Sequence, residues 1–118
     1  MGGGDGIVIA GDFNLVGSPD PLTLMAAELD FDGTGLKIAS SLQLDGRSNV
    51  TWSDAAQPFG PGRLDYLLYS GSTLKLLGSF VLDSRDVEPR WRDTHGLDVN
   101  DTDLAADHLP IVADLMFR

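Results

Sequence analysis

Three short segments of the chain place ionisable or amide side chains beside the apolar residues of predicted strands. They read GDFN at residues 11–14, RLDY at 63–66 and DHLP at 107–110. Burying a carboxylate is costly unless it is paired or bound to a metal ion. One small chain contains three segments with side chains that are costly to bury. This indicates that these side chains lie close together in the fold. Carboxylates gathered in this way could hold a divalent cation that handles a phosphate.

Each segment taken alone also has an ordinary structural explanation. Asp12 and Asn14 follow a strand, where such residues commonly form turns through their own side chains. Asp65 lies inside an apolar strand, so a turn does not explain it, but it could occupy the solvated face of an edge strand. His108 could be a loop histidine with a satisfied hydrogen bond. The segments therefore have to be judged together and in their context.

Composition limits the classes of protein that the chain can belong to. Its 118 residues are enough for one domain, and an apolar content of 42% is enough for a packed core. The chain has no cysteine, which excludes thiolate zinc sites, disulfides and cysteine nucleophiles. Its net charge of −10 repels polyanions, so tight binding of nucleic acid or of an anionic membrane surface is not expected.

The elements that must position these segments can be read from the apolar pattern. A continuous apolar run predicts a strand over 7–10, and helical spacing predicts a helix over 22–29. Further strands are predicted over 49–53, 64–70, 74–82 and 111–117, and Gly78 is expected to break the one over 74–82. A helical turn over 87–93 precedes an acidic loop over 96–106. This is an α+β pattern, and the short connections favour antiparallel pairing of the later strands.

Taken in order, the three segments resemble the later motifs of the endonuclease/exonuclease/phosphatase superfamily. That superfamily includes proteins related to deoxyribonuclease I, apurinic endonucleases, neutral sphingomyelinases and inositol polyphosphate 5-phosphatases. Its motifs are a Gly-Asp-Phe/Leu-Asn turn, an Arg-Ile/Leu-Asp-Tyr strand and a Ser-Asp-His-x-Pro segment before the final strand. Thr51-Trp52 also falls where the family often has a Thr-Trp pair. The order and spread of the matches make the resemblance much stronger than any single motif.

The resemblance implies a role for each matched residue in a metal-dependent phosphoester hydrolase. Asp12 would hold and deprotonate the attacking water or help to bind the metal, and Asn14 would donate a hydrogen bond to phosphate oxygens. His108 would contact the scissile phosphate, and Asp65 would accept a hydrogen bond from it and fix its tautomer. Asp107 would be a carboxylate on the metal side. The implied cofactor is Mg²⁺ or Mn²⁺.

The chain also departs from the family pattern. Ala106 replaces the usual serine before Asp-His, for which we expect a modest effect. The family's earlier motifs include a Gln-Glu pair whose glutamate is the principal metal ligand. Glu28 and Glu88 are the only glutamates, and neither lies in such a context. We therefore interpret residues 1–118 as a single unit, the C-terminal half of the family's domain, with the N-terminal half absent and the metal bound weakly or not at all.

Two functional interpretations follow from this incomplete set of motifs. In the first, the chain is a fragment of a divalent-metal-dependent phosphoester hydrolase that acts on a phosphodiester, a phospholipid head group or a sugar phosphate. In the second, it is a catalytically incomplete module that self-associates and has no hydrolase activity. An acidic ligand-binding β-domain unrelated to phosphate would rest on composition alone. Metal-dependent turnover that requires Asp12 and His108 would distinguish the first interpretation from the others.

Half of a deoxyribonuclease I-like four-layer sandwich would have one mostly antiparallel sheet, with one or two helices on one face. Its inner face would be apolar and uncovered, and such a surface promotes association. We predict a homodimer, or a complex with a missing N-terminal partner. Size-exclusion chromatography with light scattering at micromolar concentration checks this, and a monodisperse monomer would contradict it.

Overall fold

The structure is a computed structural model that describes residues 5–30 and 33–118. The strands and helices of this part of the chain, in order, are β1 (Val8–Asp12), α1 (Asp20–Glu28), β2 (Leu36–Ile38), β3 (Leu42–Gln43), β4 (Asp65–Ser70), β5 (Leu74–Val81), α2 (Pro89–His95), α3 (Asp101–Ala105) and β6 (Ile111–Phe117), with a 3-10 turn at Ser84–Asp86. The strands form two three-stranded sheets, β1-β4-β2 and β3-β5-β6. The predicted α+β class is confirmed, although one sheet had been expected where there are two.

The chain divides into two compact units, which we describe separately. The first unit contains the chain up to Ser40 together with Leu64–Ser79 and Ala113–Arg118, and the second contains Ser41–Arg63 and Phe80–Val112. The first holds the β1-β4-β2 sheet and helix α1. The second holds β3 and helices α2 and α3. None of the helices in the described ranges is long and apolar enough to cross a lipid bilayer.

Strand β4 is the centre of the first unit because it pairs on both sides. It is antiparallel to β1, with Val8 opposite Tyr69, and antiparallel to β2, with Leu36 opposite Ser70. Leu68 is fully buried. A strand buried on both faces is expected to be a continuous apolar run, which is how residues 64–70 read.

The outer face of this sheet packs against α1. Pro19 precedes the helix and Pro21 lies in its first turn, where a missing backbone N–H is tolerated. Leu22 is the buried helical residue, and it shares a core with Leu36 and Leu68. Met25 and Ala26 pack at the edge of this core. The helix thus covers one face of the β1-β4-β2 sheet and holds β4 against its neighbours.

The opposite face of β4 had been expected to lie uncovered, and that expectation is wrong. Leu67 and Tyr69 are buried in a second core with Ala39 and Leu74. The partly buried residues that pack around this second core come from β5 and β6, namely Leu76, Ala113 and Leu115. Self-association of the chain stays a prediction, but an exposed inner face of β4 no longer provides the reason for it.

The second unit relies more on buried polar residues. Thr51 and Ser84 are fully buried, and Asp83 and Thr102 are nearly so. In this unit β3 pairs in parallel with β5, where Leu42 lies opposite Phe80. Elsewhere the unit is built from short helices and loops. Its polar side chains therefore have to satisfy one another or the loop backbone.

Three local predictions in and around the second unit need correction. The strand predicted over 49–53 is reduced to isolated bridges at Trp52. The acidic loop predicted over 96–106 contains α3, whose helical pattern is short and carries three polar residues out of five. Gly78 does not interrupt β5. The helix predicted over 87–93 is present, displaced to Pro89–His95, and it ends where Gly96 adopts a left-handed φ of 65°.

Removing the fully buried leucine of the first core tests this description. We expect Leu68→Ala to lower the free energy of unfolding by about 3 kcal/mol, because the site is closed on both faces of the sheet and cannot collapse easily. Urea denaturation followed by circular dichroism measures the change. Leu77→Ala is the matched control, since Leu77 is 58% exposed. Equal losses in the two variants would contradict the position given to Leu68.

Candidate active site

Two aspartates face each other where β1 ends and β4 begins. The antiparallel register places Asp12 directly opposite Asp65, and a carboxylate oxygen of one lies within 4.8 Å of one of the other. Asp12 is exposed and Asp65 is half-buried. Like charges directly opposite one another destabilise a strand pair. A cation or a donor near this pair would offset that repulsion.

The chain turns sharply after Asp12, and the residue types of the GDFN segment fit this turn. Asn14 has a φ of 51°, a left-handed conformation that asparagine adopts more readily than most residues. The backbone N–H of Asn14 donates to Asp12 Oδ1 over 2.7 Å. The turn explanation considered from the sequence is therefore correct for Asp12 and Asn14. A turn of this kind is compatible with a functional role for the same carboxylate.

Phe13 anchors the same turn to the RLDY segment. Its backbone N–H donates to the carbonyl of Leu64 over 2.8 Å, and its ring meets the ring of Tyr66 edge to face, with 5.8 Å between centroids. Both rings pack against the core beneath α1. The aromatic residues of the two motifs thus fix the backbone that carries Asp12 and Asp65.

The surface explanation for Asp65 is not supported. β4 is the central strand of its sheet, not an edge strand. A carboxylate at a half-buried position of a central strand is unusual, because the neighbouring strands restrict its access to water. The position therefore needs a reason beyond solubility.

In the second unit, the DHLP segment is hydrogen-bonded to the Thr51-Trp52 pair. Leu109 donates its backbone N–H to the carbonyl of Thr51 over 2.7 Å, and Trp52 forms an antiparallel bridge with His108. The indole Nε1–H of Trp52 donates to Asp107 Oδ2 over 3.1 Å. His108 is half-buried and Asp107 is exposed. The histidine that the sequence placed in a loop is thus held in position by backbone bonds between its segment and the Thr51-Trp52 pair.

A buried polar cluster supports the chain that leads into this segment. Ser84 Oγ and Thr102 Oγ1 lie 2.9 Å apart, and each accepts the backbone N–H of the other residue. Ser84 also donates to the carbonyl of Val99 over 2.7 Å. These bonds tie the 3-10 turn to α3, which ends one residue before Ala106. Nothing in the sequence singles out this pair, because two hydroxyl side chains 18 residues apart are common on any surface.

An ion pair beside this cluster was also missed. Arg85 donates to both carboxylate oxygens of Asp83, with the Nη2–Oδ2 distance at 2.7 Å, and it approaches Asp103 at 3.4 Å. The hydrogen bond from Arg85 lowers the pKa of Asp83 and outweighs the opposing effect of burial. The positive charge of Arg85 is therefore already balanced by neighbouring carboxylates. It lines a cavity of about 630 Å³ that Trp52 and Asp107 also border.

A comparison with known protein families identifies the family of this chain. A family model described as "Endonuclease/Exonuclease/phosphatase family" matches residues 2–108. The chain belongs to this family. No curated protein and no solved structure matches the chain significantly. The resemblance found from the motifs is thereby confirmed, and the α+β architecture with two sheets is consistent with part of a deoxyribonuclease I-like fold.

Members of the endonuclease/exonuclease/phosphatase family generally depend on a divalent metal. Of the residues that the motifs assign, Asp12, Asn14 and Asp65 lie together in the first unit. Asp107 and His108 lie together beside Trp52 in the second. Each unit thus groups its own share of the motif residues.

The ion pair of the second unit generates a prediction about acid stability. The pKa of Asp83 is lowered from its ordinary value of 3.8, so its stabilising contribution is present above that value and is lost as pH falls through the folded pKa. We expect Asp83→Asn to lower the free energy of unfolding at pH 7 by about 1–2 kcal/mol. A fully buried pair would lose more, but Arg85 is half exposed.

Urea denaturation at pH 7 and at a series of lower pH values measures this loss. The difference between Asp83→Asn and the unsubstituted chain is expected to shrink as pH falls below 3.8 and through the lowered pKa of Asp83. Asp114→Asn removes an exposed carboxylate and is the control. A loss that is unchanged at low pH would show that the ion pair is not its cause.

Proposed function

We propose that this chain carries the phosphate-handling residues of a divalent-metal-dependent phosphoester hydrolase. The observation that carries the proposal is the cross-strand pair of Asp12 and Asp65. It joins the GDFN and RLDY motifs in a chain that belongs to the endonuclease/exonuclease/phosphatase family. Few structural roles need two carboxylates opposite each other at the end of an apolar strand pair. A site that handles a cation and a phosphate does need them.

The donors at this position suit a hard divalent cation. Mg²⁺ and Mn²⁺ prefer carboxylate oxygens, and Asp12 and Asp65 present theirs within 4.8 Å of one another. We assign Asp12 and Asp107 to the metal side, and Asp65 to the support of His108. When bound, the cation would polarise the phosphate and neutralise charge on the leaving oxygen. With few protein ligands, binding in the millimolar range is expected.

The chain's own residues would carry out the remaining work. Asp12 accepts a proton from the attacking water as the new oxygen–phosphorus bond forms and the ester bond breaks. Asn14 donates its side-chain amide to a phosphate oxygen, from a turn that its backbone bond to Asp12 keeps in place. His108 donates to the phosphate and stabilises the negative charge that develops there, while Asp65 orients its imidazole. The leaving oxygen takes up a proton from solvent.

The charge of the chain favours a small substrate over long duplex DNA. The chain has eight basic and eighteen acidic residues. One of the basic residues, Arg85, already forms ion pairs with Asp83 and Asp103. A polyanion would gain little from counterion release on such a surface. A small phosphodiester, a phospholipid head group or a sugar phosphate presents one phosphate and avoids that repulsion.

Hydrolysis of bis(p-nitrophenyl) phosphate in the presence of Mg²⁺ or Mn²⁺ tests the proposal. We expect metal-dependent turnover that Asp12→Asn lowers by at least about 100-fold, because the amide cannot accept a proton from water. The substitution keeps an oxygen that can accept the Asn14 N–H, so the turn is preserved. Asp114→Asn, an exposed aspartate of β6, is the matched control and should retain full activity.

Metal-induced stabilisation is the second readout of the same variants. A cation bound with a Kd of about 1 mM stabilises the fold by about 1.4 kcal/mol at 10 mM, which raises Tm by about 4–6 °C. The Asp12→Asn variant should lose this shift and Asp114→Asn should keep it. Absence of metal-dependent turnover in the unsubstituted chain would contradict the proposal and favour a catalytically incomplete module. Equal turnover in all three chains would contradict the role of Asp12.

A further inference from the structure

The exposed carboxylate of Asp107 is held by one side-chain donor. It lies in the segment between α3 and β6, where a free aspartate would rotate among several rotamers. Its Oδ2 accepts the indole Nε1–H of Trp52 over 3.1 Å. Its Oδ1 has no hydrogen-bond partner within residues 5–30 and 33–118. One oxygen is thus occupied and fixed, and the other is available to a ligand.

The backbone of Trp52 is itself well fixed, so the indole is a stable donor. Trp52 and Gly62 exchange two backbone hydrogen bonds of 3.1 and 3.0 Å. On its other side Trp52 is bridged to His108. The preceding residue, Thr51, is fully buried. A donor supported on both sides restricts its acceptor far more than a loop side chain would.

We propose that Trp52 is a positioning residue that orients Asp107 through its indole N–H and leaves Oδ1 of Asp107 available to a metal ion. This inference rests on the proposed function, in which Asp107 is a metal-side carboxylate. Trp52 touches neither water nor phosphate in this scheme and acts only through Asp107. This role explains why a tryptophan follows Thr51 ahead of the RLDY motif. A phenylalanine at position 52 would also place an aromatic ring there, but it has no N–H to donate to Asp107.

Metal dependence of Trp52→Phe is the first test. An amide or ring donor that supports a metal ligand is typically worth 10- to 100-fold in metal affinity. We expect the metal concentration for half-maximal hydrolysis of bis(p-nitrophenyl) phosphate to rise at least about tenfold, with kcat at saturating metal nearly unchanged. A merely structural loss would lower activity at every metal concentration. Trp91→Phe is the control, since Trp91 lies on α2 and stacks on His95.

The indole resonances provide a readout that needs no turnover. The chain has two tryptophans, and Trp91→Phe assigns the Nε1–H signal of Trp52 in a ¹⁵N-correlated NMR spectrum. We expect Asp107→Asn to shift that signal, because the charged acceptor is lost, and Mn²⁺ to broaden it before the signal of Trp91. This measurement also covers the case in which Trp52→Phe does not fold.

The outcomes separate the two proposals. Metal-dependent hydrolysis with the same metal requirement in Trp52→Phe would overturn the positioning role and leave the proposed function standing. A Trp52 signal that does not respond to Asp107→Asn would overturn it as well. If no metal-dependent turnover occurs and Mn²⁺ broadens neither indole first, both proposals fail. A raised metal requirement together with a responsive Trp52 signal supports both.

Discussion

The pairing of β1 with β4 is the constraint on which the candidate site depends. Its register sets Val8 opposite Tyr69 at one end and Asp12 opposite Asp65 at the other. The apolar end is stabilised by cores on both faces of β4. Slipping the register by one residue would turn each side chain of β4 to the other face and expose both cores. The two carboxylates are therefore held close together by the apolar packing of the rest of the strand pair.

A forced pair of like charges is a local conflict in an otherwise consistent sheet. Sequences commonly retain such conflicts at functional sites and compensate for them elsewhere. The compensation here is visible in the residues that surround the pair. Phe13 and Tyr66 lock the two backbones to the core, and Asn14 accepts a left-handed φ while its N–H holds one oxygen of Asp12. The second unit fixes Asp107 by another route, through the indole of Trp52.

Much of this arrangement could be predicted from the sequence. The parts that could not be predicted were missed for physical reasons. The apolar runs predicted β1, β4, β5 and β6, because buried strands need such runs. The three motifs identified the family. The short strands β2 and β3 were missed, since two or three residues carry no period. Helix α3 was read as a loop because its five residues are mainly polar.

Long-range polar contacts were the other gap. The Ser84–Thr102 and Asp83–Arg85–Asp103 contacts join residues whose types are ordinary on any surface, and only the fold shows that Ser84, Thr102 and Asp83 are buried. The edge-strand alternative for Asp65 failed for a related reason, because strand order is a property of the whole sheet. Likewise, the inner face of β4 is covered in part by residues of β6, at the far end of the chain.

We propose above all that Asp12, which the register of β1 and β4 holds opposite Asp65, helps to bind a divalent cation. The most direct measurement is a titration of Mn²⁺ followed by the electron paramagnetic resonance signal of the free ion, on the unsubstituted chain and on Asp12→Asn and Asp114→Asn. We expect the unsubstituted chain to bind one ion, Asp12→Asn to fail to bind it and Asp114→Asn to retain it. Equal Mn²⁺ binding by Asp12→Asn and Asp114→Asn would contradict it, because binding would then follow the overall negative charge and not the site.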